Sequence, residues 1–143
     1  MEKYLRIFKA LSDKTRLRII NLLLRSGQEL CVCEIVDSIN ESQYNVSKHL
    51  KELKYAGLIE EKKTGRWVSY GLASTGDTKD EFKEALSRAI ASIPEDLIVK
   101  DMELLKARLL LRKEGRCIVG LHSRQWEIVL DGLKRKKGEY SSC

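Results

Sequence analysis

Two short amphipathic helices separated by a polar turn are predicted between residues 31 and 57. Apolar residues recur at helical spacing over 31–39, three polar residues follow, and Ser42 is a suitable N-cap for a second helix over 43–56. The apolar face of this second helix consists of Val46, Leu50 and Leu53. A short helix, a three-residue turn and a second helix are typical of a helix-turn-helix, whose second helix enters the major groove of DNA.

The outer face of the second helix is polar, basic and aromatic. At about 100° per residue, its side chains project away from the apolar stripe and are placed to face DNA. A solvated helix face is the alternative interpretation, because charged residues commonly keep helices in water. The residues predicted to contact DNA from this helix are Gln43, Tyr44, Asn45, Ser47, Lys48 and Lys51.

A β-hairpin with Gly65 at its turn is predicted over residues 58–72. A hairpin that follows a helix-turn-helix is a wing. Lys62, Lys63 and Arg66 cluster near its tip, where they can contact phosphates beside the groove without reading the base sequence. The predicted DNA-binding surface therefore includes these three side chains.

The rest of the chain is predicted to be helical. Apolar periodicity indicates a first helix ending near residue 12, and helices over 14–25, 79–93, 95–113 and 124–133. The fold class is thus mainly α with a β-hairpin wing. We expect a winged helix-turn-helix domain at 1–76 and a helical C-terminal extension at 77–143, in which the basic run 134–137 is a solvated, mobile tail.

The first helix and the helices after the wing carry broad apolar stripes. Apolar surface of that size rarely stays exposed on a monomer, so these helices are candidates for a homodimer interface. Packing of the later helices against their own subunit is the alternative.

Composition also predicts the cellular compartment of the protein and the class of partner that it binds. The net charge of +6 is compatible with a polyanionic partner. No run of about 18 to 20 apolar residues offers a membrane span, and the N-terminus does not resemble a signal peptide, so we expect a cytoplasmic protein without a membrane partner. In a reducing compartment the four cysteines are expected to be free thiols or ligands rather than a disulfide framework.

Cys31 and Cys33 form a Cys-x-Cys pair directly ahead of the helix-turn-helix. A thiolate is a soft ligand and a nucleophile, so a close pair can capture a thiophilic ion or an oxidant. Free cysteine is also a common small buried residue, and simple burial is the alternative. The position of the pair beside a DNA-binding element favours sensing.

Several separate motifs over residues 1–73 resemble one family, the ArsR (arsenic-repressor) family of winged-helix metal sensors. The motifs are Leu11-Ser12-Asp13-x-Thr15-Arg16-Leu17-Arg18-Ile19, Glu29-Leu30-Cys31-Val32-Cys33, Ser47-x-His49-Leu50, Leu53-x-x-Ala56-Gly57-Leu58 and Gly65-Arg66-Trp67. The resemblance implies a homodimer that binds an inverted repeat in an operator, blocks transcription and dissociates when an inducer binds.

The family's arsenic-binding pattern has a third cysteine three residues after the second, and in this chain that position is Val36. Arsenite and antimonite, the inducers that the resemblance implies, favour three thiolates. Another sulfur must then complete the site. Cys117 is the first candidate, from either subunit of a dimer, and Cys143 is the weaker one because ordering a terminal residue costs conformational entropy.

The spacing of the pair also predicts a switch. Residues i and i+2 of a regular helix point about 200° apart, so Cys31 and Cys33 cannot hold one ion if a regular helix includes both. Ligation is then expected to distort the start of this helix. Only three residues join it to the recognition helix, so the distortion would weaken DNA binding by reciprocal linkage.

Other functions remain open. Some family members with a similar motif respond to persulfide or oxidant, so a link from Cys31 or Cys33 to Cys117 would make a redox sensor. Zinc or nickel sensing is less well supported, since His49 and His122 are the only histidines. An enzyme such as a thiol-disulfide oxidoreductase is disfavoured, because there is no Cys-x-x-Cys and no βαβ pattern around the pair. A structural dimer with spare cysteines is a further alternative.

Overall fold

The computed structural model describes residues 1–74, 80–94 and 96–141, so Cys143 and the predicted domain boundary after residue 76 lie outside the described residues. The helices are α1 (Glu2–Leu11), α2 (Lys14–Ser26), α3 (Val32–Ile39), α4 (Gln43–Tyr55), α5 (Asp80–Ala91), α6 (Asp96–Leu109) and α7 (Arg124–Ser141). The strands are β1 (Leu30–Cys31), β2 (Ile59–Thr64) and β3 (Trp67–Leu72), which form an antiparallel sheet in the order β1-β3-β2. The predicted fold class, mainly α with a β-hairpin wing, is confirmed.

Side-chain caps fix the helices of the helix-turn-helix. The carboxylate of Asp13 accepts a hydrogen bond from the Arg16 backbone N–H at 3.0 Å and begins α2. Ser42 Oγ accepts one from the Asn45 N–H at 3.2 Å and begins α4. The predicted apolar stripe of α4 is fully buried, as Val46, Leu50 and Leu53 have no exposed surface. The helix pair α3–α4 with its short turn is therefore present as predicted.

The wing is a two-stranded hairpin with a third strand beside it. Strands β2 and β3 pair from Ile59↔Leu72 to Thr64↔Trp67, and Gly65, with φ +61°, lies in the two-residue turn. The sequence did not predict β1, whose two residues we had assigned partly to the following helix. Leu30 pairs with Tyr70 and Cys31 with Ser69, so the segment before α3 is tied to the wing.

Helix α6 is shorter than predicted and packs on its own subunit. It ends at Leu109 rather than near residue 113, and Lys113 and Arg116 then pair across a tight turn. The two residues between them, Glu114 and Gly115, have φ values of +53° and +72°, a backbone that a helix cannot contain. Ile98 and Leu105 of the α6 stripe are buried, Leu105 lies in the main apolar core, and α6 packs against α2 and α3, so this stripe is not a free dimer face.

The basic run 134–137 belongs to α7 and is not the mobile tail that we predicted. Trp126, only 2% exposed, anchors the start of this helix, and its backbone N–H donates to Ser123 Oγ at 3.1 Å. Lys137 Nζ lies 3.3 Å from Glu103 Oε2 on α6. Within the described ranges, none of the helices is both long and apolar enough to cross a membrane.

Apolar side chains remain exposed on α1. Phe82 of α5 makes edge-to-face contacts with Tyr4 and Phe8 of α1, with ring centroids 4.9 and 5.8 Å apart. Leu5 and Phe8 are nevertheless 55% and 54% exposed. The outer face of α1 therefore keeps the apolar surface that the sequence predicted for an interface.

Candidate functional site: a buried thiol cluster and a nucleic-acid interface

Three cysteines from two distant parts of the chain lie together. Cys31 ends β1, Cys33 is in the first turn of α3, and Cys117 is in the loop between α6 and α7. All three Sγ atoms lie within 4.8 Å of one another, and Cys33 Sγ and Cys117 Sγ are 3.3 Å apart. Each residue is at most 8% exposed. Cys117 therefore reaches the pair within one subunit, which the sequence had left open.

The backbone at Cys31 explains how a Cys-x-Cys pair can converge. Cys31 is the N-cap of α3, with φ −74° and ψ 154°, so it is extended and not helical. The condition for the predicted distortion, a regular helix that includes both cysteines, is therefore not met. The strand β1 holds Cys31 outside the helix, and its sulfur already lies on the same side as the sulfur of Cys33.

A buried ion pair holds the start of α3. Glu34 has no exposed surface, and its Oε1 accepts a hydrogen bond from the Cys31 N–H at 2.9 Å. Arg112, which follows α6, donates to both oxygens of Glu34 at 2.7 and 2.8 Å. The same guanidinium donates to the Glu29 carbonyl and to Gln28 Oε1, both at 2.8 Å. Arg112 thus fixes the segment that carries Cys31.

A second buried ion pair lies one turn along α3. Arg108, 1% exposed, donates from Nε to Asp37 Oδ2 at 2.9 Å and from Nη2 to the Val119 carbonyl at 2.6 Å. Asp37 Oδ1 has no hydrogen-bond partner among the described residues, although His122 Nδ1 lies 3.5 Å away. Arg108 therefore connects α3 with the loop that contains Cys117.

Hydrogen bonds among the thiols concentrate negative charge on Cys33. Bonds from Cys117 and Cys31 hold the pKa of Cys33 well below its ordinary value, and the positive charge of Arg108 lowers it further. The pKa of Cys31 is raised by its hydrogen bonds to Cys117 and Cys33, and then by burial. For Cys117, the bond with Cys31 lowers the pKa, but the bond with Cys33, burial and the charge of Cys33 together raise it. The cluster accordingly favours a thiolate at Cys33 over one at Cys31 or Cys117.

A cleft of about 780 Å³ leads to the cluster between the wing and the turn that follows α6. Cys31 and Cys117 form part of its wall, together with Trp67 of the wing and Arg116 of the turn. Two of the three cysteines therefore border an open cleft although each is at most 8% exposed.

The predicted DNA-contacting residues are exposed on α4 and on the wing. Gln43, Tyr44, Asn45, Ser47, Lys48 and Lys51 on α4, and Lys62, Lys63 and Arg66 on the wing, are all exposed. The histidine of the same helix differs from them. His49 is half-buried, and its Nδ1 lies 3.2 Å from Arg16 Nη1 and 3.9 Å from Asp13 Oδ1. It packs α4 against the start of α2 and is not part of the thiol cluster.

Comparison with known proteins assigns the helix-turn-helix to a family. A family model described as "bacterial regulatory protein, arsR family" matches residues 13–61. An uncharacterised HTH-type transcriptional regulator from Methanocaldococcus jannaschii is 45% identical over 73 residues, which cover 49% of this chain and 81% of that regulator. The chain belongs to the ArsR family. Cys117 lies outside the segment that the family model matches.

Other ArsR-type proteins are similar over about half to two thirds of the chain. The arsenical resistance operon repressor of Escherichia coli is 44% identical over 69 residues, 48% of this chain and 58% of the repressor. This ArsR-family chain spans just over half the length of the arsenic regulators that it matches. The homodimeric winged helix-turn-helix domain of Mb0332 from Mycobacterium bovis is a structural neighbour with a TM-score of 0.51 at 28% identity, covering 63% of this chain and 73% of that one.

The sequence did not identify Arg108, Arg112, Glu34 and Asp37 as parts of the site. One signal was present, because Glu34 and Asp37 are charged residues at helical spacing in an otherwise apolar α3. Two carboxylates on a buried helix require cationic partners, but the sequence does not say which arginines supply them.

Proposed function

We propose that this chain is a homodimeric transcriptional repressor that releases operator DNA when arsenite or antimonite binds Cys31, Cys33 and Cys117. The observation that supports this most strongly is the convergence of three sulfur atoms within 4.8 Å beside the helix-turn-helix. In this proposal Cys117 replaces the third cysteine of the family's pattern, whose position is occupied here by Val36.

The donor set favours a three-coordinate metalloid over zinc. Among the described residues, no histidine or carboxylate joins the three cysteines, whereas structural zinc sites have four ligands. In the reaction, arsenous acid exchanges three hydroxyl groups for three sulfurs. Three As–S bonds form and three waters leave, with protons from the thiols of Cys31 and Cys117 and one from solvent, because Cys33 is already a thiolate. No change of oxidation state is involved.

DNA binding is attributed to the exposed surface of α4 and the wing. In this proposal Gln43, Tyr44, Asn45, Ser47, Lys48 and Lys51 face the major groove, while Lys62, Lys63 and Arg66 contact phosphates. The exposed apolar face of α1 supports a dimer, in which two recognition helices related by a two-fold axis would read an inverted repeat.

Only a short segment separates the helix that carries Cys33 from the proposed recognition helix. Cys33 is in α3, and the residues Asn40 to Ser42 join α3 to the recognition helix α4. An inducer that draws the three sulfurs together pulls on the start of α3 and on the loop that carries Cys117. Any inducer that prefers the shifted arrangement must weaken operator binding by the same factor by which DNA weakens the binding of the inducer.

The test is a titration of the operator complex. An operator selected from random duplexes is labelled, and its affinity is measured by fluorescence anisotropy at fixed salt with increasing arsenite. Arsenite should weaken wild-type binding by about tenfold or more. Cys31→Ser, Cys33→Ser and Cys117→Ser should abolish the effect, while Cys143→Ser is the matched control that keeps it. Unchanged operator affinity in saturating arsenite would contradict the proposal.

A redox or persulfide sensor is the second candidate. It is favoured by the 3.3 Å separation of Cys33 Sγ and Cys117 Sγ and by the thiolate on Cys33. When an S–S bond forms between them, two electrons and the proton of Cys117 pass to a persulfide or a peroxide, whose own S–S or O–O bond breaks. Gel electrophoresis without reductant, followed by peptide mass spectrometry, distinguishes this link from reversible arsenite binding.

A further inference from the structure

The guanidinium of Arg108 contacts both segments that carry the thiol cluster, and its hydrogen bonds go to oxygen atoms. Arg108 lies on α6, the carboxylate of Asp37 lies on α3, and the carbonyls of Val119 and Gly120 lie on the loop after the turn. Arg108 Nε donates to Asp37 Oδ2 at 2.9 Å, and Nη2 donates to the two carbonyls at 2.6 and 3.3 Å. The proposed DNA and inducer contacts make no use of this residue.

The contacts continue to the third sulfur. Cys117 Sγ donates to the Val119 carbonyl at 3.6 Å, the same oxygen that accepts from Arg108. A continuous series of polar contacts therefore runs from α3 through Asp37, Arg108 and Val119 to Cys117. The cysteine at its end lies 3.3 Å from Cys33, which is on the same helix as Asp37.

Burial of the Arg108–Asp37 ion pair makes it costly to separate the loop of Cys117 from α3. The side chains of Arg108 and Asp37 are 1% and 0% exposed, so neither charge can be satisfied by water if the pair opens. Two carbonyls of the loop, those of Val119 and Gly120, accept from Nη2 of the same guanidinium. The loop has no helix or strand of its own between Arg116 and Arg124, so its position depends on such contacts.

We propose that Arg108 is the positioning residue that brings Cys117 to Cys33 and so assembles the three-thiol site from two distant segments. The consequence for induction rests on the proposed function, because it matters only if the three cysteines act together. The assembly of the site is independent of any inducer or DNA and can be measured directly.

The test uses the full chain with Cys31→Ser and Cys143→Ser, which leaves Cys33 and Cys117 as the only thiols. Diamide oxidises the two thiols to a disulfide and is itself reduced to the hydrazine. The rate of disulfide formation reports how often the two sulfurs meet, and the labelling of Cys117 by a maleimide, read by mass spectrometry, reports how far the loop has opened. Neither readout uses arsenite or operator DNA.

Arg108→Gln and Asp37→Asn should each slow disulfide formation by about tenfold or more, since small displacements of reacting groups carry large rate penalties. Both should increase maleimide labelling of Cys117. Arg108→Lys should restore part of the wild-type rate, because one ammonium can pair with Asp37 or with the Val119 carbonyl but lacks the fork that reaches both.

Arg18→Gln is the matched control. Arg18 forms another ion pair, with Nε 2.8 Å from Asp101 Oδ2 and 11% of its side chain exposed. It joins α2 to α6 and, through the Ile39 carbonyl at 2.7 Å, to the C-terminal end of α3, but it does not contact the loop of Cys117. Its substitution should leave both rates unchanged. Folding is checked by circular dichroism, and if Arg108→Gln does not fold, Arg108→Lys and Asp37→Asn decide by the same rates. Wild-type rates in the folded variants, or equal slowing in Arg18→Gln, would overturn the proposal. A failure of arsenite to release DNA would leave this result untouched.

Discussion

Substitution of the buried carboxylate beside Cys31 tests whether the start of α3 is held as described. Glu34 accepts three hydrogen bonds, two from Arg112 and one from the Cys31 N–H, at 2.7 to 2.9 Å. Glu34→Gln keeps the shape and removes the charge. Its amide NH2 must then point at a donor, either Arg112 or the Cys31 N–H, so at least one of these bonds is lost.

The expected loss follows from burial. Removing one partner of a buried ion pair costs about 3–5 kcal/mol because the other charge stays behind unpaired. Arg112 keeps its bonds to the Glu29 carbonyl and Gln28, and its side chain is 13% exposed. We therefore expect the lower end, about 3 kcal/mol of unfolding free energy.

Urea unfolding in reductant at one protein concentration measures this loss, since a dimer's stability depends on concentration. Glu41→Gln is the matched control. The Glu41 side chain is 34% exposed and lies 3.9 Å from Arg18, so its removal should cost less than about 0.5 kcal/mol. Combining Glu34→Gln with Arg112→Met removes the stranded charge, and the second substitution should then cost less than it does in the wild-type chain.

The reasoning is refuted if Glu34→Gln unfolds at the same urea concentration as Glu41→Gln. Equal costs of Arg112→Met with and without Glu34→Gln would also refute it, because they would show that the two side chains do not interact.

Three further predictions concern charge and assembly. The pKa of Cys33 is lowered in the folded state, so between that value and the ordinary thiol pKa the unfolded chain binds more protons than the folded one. The free energy of unfolding should therefore rise with pH by at most about 1.4 kcal/mol per pH unit. In urea unfolding measured from about pH 6 to about pH 8, Cys33→Ala should reduce this slope. Lys48→Ala should lower the slope of log affinity against log salt for operator DNA by about 0.9 if Lys48 neutralises one phosphate, whereas Lys106→Ala, exposed on α6, should not change it. Leu5→Glu places a charge on the exposed apolar face of α1 and should convert a dimer to a monomer in analytical ultracentrifugation, while Glu2→Gln should not.

The helix-turn-helix and wing could be predicted from the sequence because their signals are local. Asp13 and Ser42 cap the helices that they precede, and the apolar stripe of α4 is buried at each predicted position. The turn at Gly65 lies where a residue with positive φ was required. Each of these features depends on a few adjacent residues.

The parts that could not be predicted depend on contacts between distant residues. β1 has only two residues, and it is a strand because β3 lies beside it, 40 positions later at Leu30↔Tyr70 and 38 later at Cys31↔Ser69. The basic run 134–137 has the composition of a tail, but Trp126 anchors its helix against the rest of the protein. Cys117 was a candidate by elimination, and only the fold brings its sulfur next to that of Cys33.

The source of the third sulfur changes the role of the C-terminal extension. Val36 has no exposed surface and packs in the main apolar core, so the family's third position is here part of the helix packing. The third thiol instead comes from a loop beyond α6, and Arg108 and Arg112 tie α6 and the residues after it to Asp37 and Glu34 on α3. The predicted boundary after residue 76 therefore separates Cys31 and Cys33 from Cys117 and from both arginines. A chain cut at that boundary would keep every proposed DNA contact but only two of the three sulfurs, and Glu34 and Asp37 would be left as carboxylates without their arginines. In the proposed function, sensing and DNA binding would therefore not divide along the predicted domains, because the extension would supply the third sulfur and its arginines pair with the carboxylates of α3, which carries Cys33.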